Sequence, residues 1–206
     1  MLQRVVGPIQ RVWVWVMHAV LFTVGACFCI PTIVKNIMQT SVREATAFAS
    51  LWETCSSAPC GVHFLSGLCG ILSPYTGSIS PRIVAMSPSE VVVSIEDYPW
   101  LRNPFRSLHA IALSNLGELA SALALLMFQQ ATPGSRVILV SLSAEFHAKA
   151  RGTISASVAD LNIPDAPGNH LVPVTIPLTN ATGTEVATIV ATWRVSINPT
   201  RRPKGD

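Results

Sequence analysis

The 206-residue sequence predicts an α+β protein: a curved antiparallel sheet wrapped around one long apolar helix, with a membrane helix in front. Three observations carry that prediction. Residues 12 to 34 hold no formal charge between Arg11 and Lys35. Residues 107 to 135 form a mostly apolar run with a single charge, Glu118. On both sides of that run the apolar period is 2 rather than 3.6, with two strands before it and four after. A half-polar antiparallel sheet needs cover on one face, and the long helix is the available cover.

The front segment reads VWVWVMHAVLFTVGACFCIPTIV. As a helix rising roughly 1.5 Å per residue it reaches about 35 Å, enough to cross the hydrocarbon of a bilayer. Trp13 and Trp15 sit near one end, where amphipathic rings favour the interface. A single transmembrane anchor is the leading reading. A cleaved secretory signal fits less well, because the apolar stretch exceeds the roughly 7–15 residues usual for one. A mitochondrial presequence is the third reading, since residues 1 to 43 carry four basic residues and no acid. The protein is therefore expected on a membrane, with endoplasmic reticulum and mitochondrion both open. Arg4 and Arg11 balance Lys35 and Arg43, so the charges set no orientation.

Residues 41 to 53 read as a short amphipathic helix, broken at Cys55–Gly61 by Ser, Pro and Gly. Arg82 to Met86 and Glu90 to Glu96 read as strands around a Ser-Pro-Ser turn. The long helix spans about 104 or 108 to 130 and stops at Pro133-Gly134. From 140 to 151, Val140, Leu142, Ala144, Phe146, Ala148 and Ala150 alternate with polar residues. Strands follow near 154–158, 172–178 and 186–197. Pro173 and Pro177 place the second of these at an edge or a bulge. The domain division is an anchor or targeting segment (1–40), a helical lead-in (41–73), the sheet-and-helix domain (74–198) and a basic tail (199–206).

Composition excludes several function classes. A net charge of +3 without a basic stripe argues against nucleic acid. The five cysteines all lie within the first third, and the odd count argues against a disulfide framework. Cys55 and Cys60 lack a second Cys or His pair at zinc spacing, so no metal and no cofactor are expected. P-loop, nucleophile-elbow and dinucleotide fingerprints are absent from the sequence.

Glu118 is the informative residue. An ionised carboxylate is almost never buried without a partner or a job. Set among Leu116, Leu119 and Ala122, it is expected to have a raised pKa from desolvation, which suits a base working near neutral pH. Ser114, Glu118 and Ser121 recur at i, i+4 and i+7, with Asn115 beside them, as candidate substrate contacts. Each candidate also has a plain structural reading. Glu118 pairs with Arg102 or Arg106 of a second subunit, His109 caps the helix, and Asn103 before Pro104 closes a turn.

The order of elements is that of the hotdog fold. Pro74-Tyr75-Thr76-Gly77-Ser78-Ile79, Arg102-Asn103, His109-Ala110 and Gly117-Glu118-Leu119-Ala120 resemble a branch of hotdog thioesterase-like proteins catalogued as a domain of unknown function. The resemblance covers roughly residues 59 to 197. Its nearest characterised relatives are the phenylacetyl-CoA-type acyl-CoA thioesterases. Their pattern is Asn, His-Gly-Gly six residues on, and an acid nine residues after the His; Asn103, His109 and Glu118 keep those spacings. The resemblance implies that Glu118 is the nucleophile or the general base for water, and that the Ala110 N–H is the oxyanion donor. It also implies a homodimer with the site at the subunit interface, and an acyl-CoA or carrier-bound acyl substrate. One departure stands out: the Gly-Gly is Ala110-Ile111 here, which puts side chains where glycine admits a ligand to the backbone.

Three readings follow. The first is an acyl-thioester hydrolase. The second is a non-catalytic acyl- or lipid-binding dimer, with a hotdog dehydratase or isomerase as a related alternative. The third, a two-pass membrane protein with 108–128 as second span, is disfavoured by the His, Ser, Asn and Glu in that stretch.

Overall fold

The computed structural model describes residues 3–39, 47–132 and 135–197. The helix stop at Pro133-Gly134, the first residues of the lead-in helix (41–46) and the basic tail lie outside the described residues. Helices α1 (Gln3–Gln39), α2 (Ala47–Ser57), α3 (Gly61–Leu72) and the single turn α4 (Pro74–Gly77) come first. Strands β1 (Arg82–Met86) and β2 (Glu90–Ile95) precede α5 (Ala110–Ala131); β3 (Arg136–Phe146), β4 (Ile154–Ala159), β5 (Gly168–Asn180) and β6 (Glu185–Ile197) follow it. The six strands form one antiparallel sheet in the order β1-β2-β4-β5-β6-β3.

Period-two patterning decides which face meets α5. Val91, Val93 and Ile95 on β2, Ile154, Ala156 and Val158 on β4, and Ile189, Ala191, Trp193 and Val195 on β6 are all buried. Against them α5 buries Leu113, Leu116, Ala120, Leu123 and Leu125. Gly117 brings the helix backbone onto the sheet, because a Cβ there would lie 2.7 Å from the Ile189 side chain. Trp193 Nε1 donates to Ser121 Oγ at 3.1 Å, which satisfies the indole inside the core. α5 is long and apolar enough to cross a membrane, but its most apolar stretch is 67% buried inside the protein, the signature of a core helix. The disfavoured two-pass reading loses its second span.

Two strand expectations need correction in detail. The register shifts between Leu139 and Ser141, so Val140 falls out of the alternation expected of it. β3 also ends at Phe146, leaving Ala148 and Ala150 beyond it. β5 lies inside the sheet rather than at its edge, with the expected bulge as a register shift between Leu178 and Thr179, yet only Leu178–Asn180 pair with β4. The stretch carrying Pro173 and Pro177 has β6 on one side alone, where a missing N–H costs no ladder bond.

The lead-in helix ends at Ser57, inside the Cys55–Gly61 stretch expected to break it, and a left-handed Cys60 (φ 56°) turns the chain into α3. α1 docks on α3 along one side. Phe22 packs on Phe64 with ring centroids 5.1 Å apart, Gly25 meets the Cys60 carbonyl, and Cys29 and Cys55 are fully buried. Burial, reinforced by Cys29, pushes the Cys55 thiol up to about 12, so it is protonated and inert. The other side of α1 leaves Val12, Trp13, Val16, Met17 and Val20 exposed.

Candidate active site

The N-terminus of α5 is held by a stiff loop. Asn103 Oδ1 accepts from the N–H groups of Phe105 (2.9 Å) and Ser107 (3.2 Å). Arg106 takes a left-handed φ of 58° between them. Ser107 Oγ donates to the Ala150 carbonyl at 3.1 Å and accepts from the Ala150 N–H at 3.0 Å, tying the loop to the chain beyond β3. Arg102 forks onto Asp97, with Nε to Oδ1 at 2.7 Å and a second contact to Oδ2 at 3.1 Å. That guanidinium is thus paired within its own chain.

His109 is the helix N-cap. Its backbone is extended (φ −67°, ψ 138°), its Nδ1 accepts from the Ile111 N–H at 3.2 Å, and its own N–H donates to the Leu101 carbonyl at 2.8 Å. Ala112 and Leu113 N–H groups bond the His109 carbonyl. The Ala110 N–H has no acceptor among the described residues and carries the positive end of the α5 dipole.

Glu118 lies two turns further on, half-buried, on the stripe of α5 that also carries exposed Ile111 and half-buried Ala122. Among the described residues its carboxylate has no hydrogen-bond or ion-pair partner. Burial raises its pKa above the ordinary carboxylate value. Eight residues separate Glu118 from Ala110, about 12 Å along the helix axis. Within one protomer the backbone thus sets the two groups more than two turns apart.

The remaining candidates divide. Asn115 is buried and lines a cavity of about 200 Å³ with His109, Ile111, Tyr75 and Trp100. Ser114 turns its hydroxyl back onto the Ala110 carbonyl at 3.1 Å. Ser121 is fully buried: it donates to the Glu118 carbonyl at 2.8 Å and accepts from Trp193, so it faces the sheet and not the carboxylate. Asn103 spends its carbonyl oxygen on the loop. Among the described residues no group of three or more His, Cys, Asp or Glu side chains is placed to hold a metal. Tyr75 and Trp100 were not singled out from the sequence, although Trp100 stacks on Tyr98 at 4.5 Å beside the cavity. The Tyr98-Pro99-Trp100 run just ahead of the loop is the signal that marks Trp100, and Tyr75 lies in the Pro74–Ile79 stretch.

A six-stranded antiparallel sheet curled round one core helix defines a hotdog-fold protein. The chain belongs to the family described as a domain of unknown function, DUF4442, whose model matches residues 61–195. A solved structural-genomics protein, APC5556, is 28% identical, covering 71% of this chain and 95% of its own at a TM-score of 0.59. A Pseudomonas aeruginosa protein described as a probable thioesterase is 20% identical over 64% of this chain and 93% of its own, with a TM-score of 0.56. A Staphylococcus aureus thioesterase, solved as a mutant, is 17% identical over 60% and 99%, with a TM-score of 0.52. At these identities the last two likenesses establish the fold. No curated protein matches the chain.

Proposed function

We propose that this protein hydrolyses acyl thioesters, carried on CoA or on an acyl carrier, with Glu118 as the general base for water or as the nucleophile. The observation that supports this reading most is the half-open, unpartnered carboxylate of Glu118, whose pKa burial raises. A structural acid in such a setting is expected to have a cation beside it, and of the two loop arginines Arg102 is engaged by Asp97, while Arg106 has no ion pair with Glu118 within the chain.

The site is completed by a second copy of the chain. In this reading the Glu118 of one protomer works with the Ala110 N–H of the partner subunit rather than with its own, more than two turns away. β3 supports a homodimer independently. It is an eleven-residue edge strand with Ile138, Val140, Leu142 and Phe146 exposed, the kind of edge that natural proteins cover. Acyl substrate enters along the α5 stripe, with Asn115 and His109 near its thioester end. The hotdog unit takes in residues 74–198 behind the helical lead-in 41–73, and α1 attaches it to a membrane, which suits a lipophilic substrate.

Thiol release from a panel of acyl-CoAs tests the assignment. Glu118→Gln is expected to lower the rate about 10²- to 10⁴-fold, the usual contribution of a positioned acid–base group. Equal release by both proteins refutes it. One observation favours a second reading, a non-catalytic acyl-binding dimer: the Ile111 side chain, 54% exposed, stands beside the Ala110 N–H where glycine would leave room. Acyl lipid that co-purifies without turnover of any thioester selects that reading.

A further inference from the structure

A further cavity among the described residues has no α5 residue in its lining. It holds about 700 Å³, within the roughly 300–1,000 Å³ typical of ligand sites, and lies between α1, α3 and the first two strands. Trp15, Ala19 and Phe22 of α1 and Gly67, Gly70 and Ile71 of α3 make an apolar wall. Arg82, Ser94 and Glu96 close one end. These three sit on the face of the sheet opposite α5: Arg82 pairs with Ser94, while the intervening Ile83, Val93 and Ile95 are the residues buried under the helix. At its Arg82–Glu96 end the cavity thus lies on the face of the sheet away from α5, while at α4 it adjoins the α5-side cavity, since Ser78 lines both.

Its charge pattern is specific. Arg82 has no ion-pair partner among the described residues. Glu96, by contrast, accepts from Thr153 Oγ1 at 3.1 and 2.9 Å. His63 stands close enough for the Arg82 charge to lower its pKa, with burial the larger cause, so it stays neutral there. One free guanidinium beside one carboxylate suits a monoanion better than a doubly charged phosphate. The apolar wall includes α1, whose opposite side carries the exposed apolar stripe, so the cavity borders whatever hydrocarbon α1 meets.

We propose that this cavity is a second acyl site, which binds one free long-chain fatty acid with its carboxylate on Arg82 and its chain along α1 and α3. The site is independent of hydrolysis at Glu118, and it gives the protein a place to hold a free acid taken from the bilayer.

The test uses the full chain in phosphatidylcholine nanodiscs and a palmitate carrying a photoreactive diazirine near its methyl end. Saturable labelling of the Gly67–Ile71 stretch is expected. Arg82→Gln and the methyl ester of the same probe should each weaken that labelling about tenfold or more, the size of one charge-assisted hydrogen bond. Glu118→Gln should leave it unchanged, which separates this site from the catalytic assignment. Labelling confined to Val16 and Val20 overturns the proposal, as does equal labelling by acid and ester. Displacement by lysophosphatidic acid at lower concentration than by unlabelled palmitate overturns the carboxylate assignment.

Discussion

The Trp193 indole N–H bonds the Ser121 hydroxyl at 3.1 Å across the boundary between sheet and helix. Trp193 is 5% exposed and Ser121 fully buried, so neither finds water instead. Ser121→Ala leaves the indole donor unsatisfied. The expected cost is about 1–3 kcal/mol, read as a lower denaturation midpoint with an unchanged slope. Thiol release per folded molecule should not change, because this hydroxyl serves the core; a selective loss of rate would return Ser121 to the site.

Gly117→Ala should destabilise the protein. In an ordinary helix interior that substitution gains about 1 kcal/mol. Here the new Cβ meets Ile189 atoms at 2.7 and 2.8 Å, and Ile189 is fully buried in β6. Overpacking of this kind costs about 1–3 kcal/mol, which reverses the sign. Chemical denaturation measures it, and a more stable Gly117→Ala protein would show that α5 sits further from the sheet.

The pH dependence of Glu118 has a definite direction. Burial raises its folded pKa above the unfolded value, so the folded state holds the proton more tightly. That favourable contribution is complete below the unfolded pKa and is lost as pH rises through the folded one. Glu118→Gln should therefore raise Tm at pH 8 and leave it unchanged at pH 4. The hydrolysis rate should rise with pH through the same raised pKa, since the base must be ionised. A Tm difference that is largest at low pH would contradict the assignment of the shift to burial.

Removal of α1 tests its proposed role as the anchor. A chain beginning at residue 40 should be released by alkaline carbonate, because α5 is covered by its own sheet. Retention in the membrane pellet would mean that α5 or the apolar α3 holds the bilayer on its own.

Much of this architecture was legible in local pattern. The two strands before α5 and the four after it follow from alternation, because each strand has one face on the helix and one away from it. Glu118 was legible as a lone charge. What escaped the pattern depends on geometry that spacing does not carry. Ser121 is three residues from Glu118, a step of about 60° round the helix, enough to swing it onto the sheet. β5 tolerates two prolines inside the sheet because β4 diverges from it, which no residue of β5 announces. The large cavity joins Trp15, Gly67 and Arg82, brought together only when α1 docks on α3.

The shared site at α5 is tested most directly by mixing two inactive variants. Proline is well tolerated at the first helical position and has no N–H, and His109 already has the extended backbone that precedes proline. Ala110→Pro should therefore keep the fold and lose about 10²- to 10³-fold in kcat, as for an oxyanion donor. When Glu118→Gln and Ala110→Pro proteins are dissociated and reassociated together, the mixed dimer regains one intact site. Thiol release should then recover to about a quarter of wild type, for random twofold pairing. If each site were built within one protomer, every site in the mixture would carry a defect, and no recovery on mixing would contradict the account.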